Sequence, residues 1–137
     1  RLGRAVAQAD FDQDGLADLV VVNQHDRAAL LKNQAKHGHG ISLRLHGITC
    51  NRDCWGAEVE VVAGDQILVD QLVAGESFGC THDPTLYFGL GEWAGDCQVT
   101  IRWPQKDHQT DQITVPADHR VVVFQDETPV VYSKAFP

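Results

Sequence analysis

The residues best equipped for chemistry lie near the start of the chain, in Asp10-Phe11-Asp12-Gln13-Asp14-Gly15-Leu16-Ala17-Asp18. Carboxylates fall at loop positions 1, 3, 5 and 9, and glycine falls at position 6. Alternate spacing lets a tight loop turn successive side chains toward one centre, and Gly15 permits the sharp bend. The Leu16 carbonyl can add a further oxygen. A hard cation with flexible coordination needs a set of this kind, and the expected ion is Ca²⁺, held by Asp10, Asp12, Asp14, the Leu16 carbonyl and Asp18. Gln13, at position 4, is expected to point away. Asp and Gly also favour plain solvated turns, but a turn does not require four mutually repelling carboxylates. The loop is not an EF-hand, because its last acid comes at position 9 rather than 12 and a strand-like run follows where a helix would be needed. Mg²⁺ fits less well, since it demands a strict octahedron and keeps its waters.

The four cysteines, Cys50, Cys54, Cys80 and Cys97, form the second chemical group. An even count without CxxC spacing reads as a disulfide framework and an oxidising compartment. Three pairings are open. Cys50–Cys54 with Cys80–Cys97 would staple one short and one longer loop, worth about 2 and 3 kcal/mol by loop-closure entropy. Cys54–Cys80 with Cys50–Cys97 is the alternative. Zinc is disfavoured because CxxxC has no second close ligand pair. His37-Gly38-His39 could chelate a transition metal but reads better as linker. Cys80 beside His82-Asp83 lacks the spatial arrangement a nucleophile pair needs. No nucleotide-binding fingerprint or nucleophile elbow appears. The chain is therefore expected not to be an enzyme.

These residues must be positioned by strands. Ala57–Val61 and Cys97–Trp103 alternate apolar and polar, the period of a strand with one buried face. Further candidates are Ile41–Leu45, Ile67–Val73, Thr85–Phe88, Asp111–Val115 and Arg120–Phe124, each bounded by turn residues. No segment sustains a helical period. The expectation is an all-β protein. An antiparallel sandwich or barrel over about 41–124 is preceded by a strand–calcium loop–strand unit, and Val59, Val61, Val99, Ile101 and Trp103 are buried. Leu19–Val22 and Arg27–Asn33 are read as a hairpin, and Val130–Tyr132 either as an edge strand or as a segment that docks on a neighbouring molecule. The expected divisions are 1–36, 37–126 and a tail, 127–137. Trp55 and Trp93 could offer a sugar platform but read better as packing over disulfides.

Across its 137 residues the chain is 43% hydrophobic, enough for a packed core, and carries a formal net charge of −8. That balance disfavours nucleic acid, which needs clustered Lys and Arg, and suits divalent cations. No apolar run approaches the ~20 residues of a membrane helix. The missing initiator Met suggests a segment of a longer, secreted or cell-surface protein, with the periplasm as a further compartment.

Asp10–Val22 resembles an FG-GAP or VCBS-type repeat, the calcium-binding unit of propeller blades in surface proteins. Residues from about His39 to Phe124 resemble the ASPIC/UnbV domain. They do so through Asn51-Arg52-Asp53, Gly56-Ala57, Ala74-Gly75, Asp83-Pro84, Phe88-Gly89-Leu90-Gly91 and Arg102-Trp103-Pro104. Three features depart from that pattern: Gly40 follows His39 where Trp is usual, Gln105-Lys106 follows the Trp-Pro turn, and the cysteines are extra. The resemblance implies an extracellular module of no single defined activity, and the leading expectation is a calcium-stabilised structural or adhesive module that joins other proteins or copies of itself. A carbohydrate-binding module and an accessory domain of a larger secreted enzyme are the alternatives.

Overall fold

The computed structural model describes residues 2–35, 38–107 and 109–132. Every regular element among them is a strand. They divide into two compact units, one of residues 2–35 with 73–83 and one of 38–72 with 84–132.

The first unit is a three-stranded antiparallel sheet of β1 (Gly3–Ala9), β2 (Asp18–Asn23) and β3 (Ala29–Leu31), in the order β1-β2-β3. The hairpin expected from Leu19 through Asn33 is present. Partners across the ladder share a face, so Val6, Val21 and Ala29 lie on one side with Leu19 and Leu31, while Ala7, Val20 and Leu30 lie on the other with Val22. Both faces are apolar. The only fully buried residue in this unit is an acid, Asp18.

The second unit is a sandwich. One sheet has the order β11-β10-β4-β7, from β4 (His39–His46), β7 (Thr85–Gly91), β10 (Arg120–Phe124) and β11 (Val130–Tyr132). The other has the order β6-β5-β8-β9, from β5 (Glu58–Ala63), β6 (Gln66–Gln71), β8 (Asp96–Arg102) and β9 (Thr110–Pro116). Period-two alternation sends Leu43, Leu45, Leu86, Phe88, Val121 and Val123 inward from the first sheet. They meet Val59, Val61, Val99, Ile101 and Val115 from the second in one buried cluster, to which Trp103 contributes its indole. The expected core residues are all there, and Val130–Tyr132 forms the expected edge strand on β10.

Two details differ from expectation. The sandwich is not purely antiparallel, because β10 runs parallel to β4 from Arg120↔Ser42 to Phe124↔His46. The chain between them spans both sheets, so β10 re-enters beside β4 in the same direction, as a parallel pair requires. The strand expected at Ile67–Val73 runs instead from Gln66 to Gln71. Pairing of Val62 with Ile67 and of Glu60 with Val69 turns both apolar residues outward, where they are 65% and 67% exposed.

Candidate metal centre

The acidic loop joins β1 to β2, and the last β1–β2 pair, Ala9↔Asp18, brings its two ends together. Left-handed backbone at Gln13 (φ 61°) and Gly15 (φ 85°) makes the bend, and Gln13 is exposed. The carboxylates organise the loop from within. Asp10 accepts the N–H groups of Asp14 at 3.0 Å and Gly15 at 2.9 Å. Asp14 Oδ1 accepts the Leu16 N–H at 2.9 Å. Asp18 accepts from Phe11 at 3.2 Å and from Asn33 at 2.8 Å.

Asp10, Asp12 and Asp18 each present an oxygen such that all three lie within 4.8 Å of one another. Oxygens on opposite sides of a Ca²⁺ ion at about 2.3–2.6 Å stand about 5 Å apart, so this set fits one ion's shell. Asp14 is the exception. Its second oxygen faces Lys32 Nζ at 3.5 Å, and the same ammonium bonds Asp12. A cationic group is thus already drawn to the carboxylates. Its hydrogen bond holds the Asp12 carboxyl below the usual range, and Asp12 in turn raises the Lys32 ammonium.

Lys32 escapes a reading of spacing alone. It belongs to the site because the register Leu19↔Leu31 carries the residue after β3 back to the level of Asp18. Asn33 follows, giving its side-chain amide to the Ala17 carbonyl at 3.3 Å.

All four cysteines are free thiols, so neither expected disulfide pairing is shown. Cys54 is buried, and its thiol is pushed up to about 12, first by burial and then by the adjacent Cys50. Burial also raises the Cys97 thiol. Cys80 donates to the Val6 carbonyl at 3.1 Å. His82 does not pair with it: its Nδ1 takes the Gln8 N–H at 3.2 Å and its Nε2 faces Glu76 at 3.3 Å. His39 bonds Asp118 at 2.7 Å, while His37 lies outside the described residues.

The Cys50–Cys54 loop is organised by a residue that no local motif marks, Gln125. Its fully buried amide oxygen accepts the N–H groups of Ile48, Thr49 and Cys50 at 3.0–3.2 Å. Its amide nitrogen reaches Gln105 at 3.1 Å. Asn51 closes the loop by accepting the Trp55 N–H at 2.8 Å and donating to the Trp55 carbonyl at 3.0 Å.

The ASPIC and UnbV family profile matches residues 47–130. The chain belongs to this family. A comparison with curated proteins finds no match. In this ASPIC and UnbV domain the recognisable residues serve structure. Arg102 pairs with Glu58 at 2.7 Å, and Trp103 Nε1 donates to Asp111 at 2.8 Å. The buried Trp103 ring offers no stacking face to a sugar. Trp93, 38% exposed, lies across Gly64, where a Cβ would come within 2.8 Å of the ring. The described residues contain no helix long and apolar enough to cross a membrane.

Proposed function

We propose that the chain is a calcium-stabilised extracellular structural module that joins other proteins or copies of itself, and that it is not an enzyme. The observation that carries this reading is the convergence of Asp10, Asp12 and Asp18 oxygens within one ion's coordination shell. Asp14 joins them once Lys32 swings away, and the Leu16 carbonyl supplies a further oxygen. Bound there, Ca²⁺ would act as an electrostatic cross-link between β1 and β2. Carboxylates that fill a cation's shell leave no open Lewis-acid position, and no general base accompanies them.

The two apolar faces of the β1-β2-β3 sheet support reading it as an FG-GAP/VCBS-type repeat, which stacks between neighbours. A sheet that covers a single core needs only one such face. Association through this sheet would bury the exposed Leu19, Val22, Leu30 and Leu31.

Calorimetric titration tests the reading. Ca²⁺ should bind at one site and Mg²⁺ more weakly, and Asp12→Ala should weaken the Ca²⁺ isotherm. No heat of binding up to millimolar Ca²⁺ in the intact protein would refute it.

A further inference from the structure

Among the described residues β1 is an edge strand, paired on one side only, by β2. Alternate residues of such a strand turn their N–H and C=O groups outward, a template for adding another strand. In β1 these residues are Val6 and Gln8, and all four of their outward groups are taken by one short segment between β6 and β7. Val6 donates to Ser77 Oγ at 3.1 Å and accepts from Cys80 Sγ at 3.1 Å. Gln8 donates to His82 Nδ1 at 3.2 Å and accepts the Asp83 N–H at 2.8 Å. Three of these four bonds come from side chains, so the segment satisfies the edge without being a strand. Ser77 and Cys80 pair across its turn, and Arg4 lies over the Phe78 ring at 4.8 Å.

We propose that residues 76–83 are an edge cap. This segment of the ASPIC and UnbV domain closes the open side of the preceding sheet and bars strand addition there by another copy of the chain. The chemistry assigns roles. His82 must present an unprotonated Nδ1, which puts its proton on Nε2, facing Glu76 Oε2 at 3.3 Å. Ser77 must be an acceptor. Cys80 must keep its hydrogen, so it stays a thiol. The cap owes nothing to a bound cation, so it stands or falls independently of the calcium reading.

Amide exchange by NMR on the intact chain tests it, together with the ¹⁵N shifts of the His82 ring. The cap predicts an Nε2–H tautomer. His82→Ala should lower protection of the Gln8 amide about tenfold, the loss expected for one hydrogen bond at a strand edge. His82→Asn should restore it, because an amide oxygen then stands where Nδ1 stood. Ser77→Ala should do the same to Val6 alone. The double variant Ser77→Ala/His82→Ala should sediment as a larger species than the parent. An Nδ1–H tautomer, or unchanged exchange at Val6 and Gln8 in the alanine variants, would overturn the assignment. Failure of His82→Asn to restore protection would remove the acceptor role, and a double variant of parental size would remove the barrier to association.

Discussion

The two units hold themselves together by different means. In the sandwich, β4, β5, β7, β8, β9 and β10 send side chains into one apolar cluster. All the fully buried apolar side chains among the described residues are there. The β1-β2-β3 sheet buries none, and its one fully buried side chain is the carboxylate of Asp18. One unit is stabilised by removing hydrocarbon from water. The other rests on backbone pairing and on carboxylates that accept loop N–H groups, with the Lys32 ammonium drawn to Asp12 and Asp14. A core withstands changes of salt and chelator; a charge cluster does not.

The largest effect should come from the core. Leu43→Ala should cost about 2–5 kcal/mol in denaturant unfolding of the sandwich, whatever the calcium level. An equal loss for Leu30→Ala would erase the contrast, since Leu30 is 60% exposed. Gln125→Leu should come next. It strands three loop N–H groups and should cost about 1–3 kcal/mol, read in the same unfolding curves.

Alkali offers a test specific to the sandwich. The buried Cys54 thiol binds its proton more tightly folded than unfolded. Its stabilising share is complete below the ordinary thiol range and fades as pH rises from about 9 toward about 12. Cys54→Ala should flatten that decline in reduced protein.

The smallest effect belongs to Lys32. Replacing it by Met removes a positive charge beside Asp12 and Asp14, so calcium affinity should rise about fivefold at low salt. In calcium-free protein the lowered Asp12 carboxyl makes its contribution above the ordinary carboxylate range and loses it as pH falls through the lowered value. That acid-side loss should vanish in Lys32→Met. Unchanged affinity would mean that the ammonium does not compete for the site.

Local rules were enough to read what local chemistry determines. Spacing pointed to Asp10, Asp12, Asp14 and Asp18, of which Asp10, Asp12 and Asp18 bring their oxygens together, and period two pointed to the strands and to Val59, Val61, Val99, Ile101 and Trp103. Features set by long-range register were hidden. Lys32 reaches the loop through hairpin pairing, β10 joins β4 across most of the chain, and Gln125 meets residues 48–50 from far along the sequence. Ile67 and Val69 look like core residues until pairing with β5 turns them outward. Ser77, Cys80 and His82 form no motif in sequence; only β1's open edge gives them a common task.

If the proposal holds, calcium stabilises the first unit and not the second. Amide exchange across the whole chain, in saturating Ca²⁺ and then in chelator, distinguishes the two. Chelation should strip protection from residues 5–23 and leave β5, β8 and β10 unchanged. Equal protection of residues 5–23 in both conditions, or a loss shared evenly by both units, would contradict it.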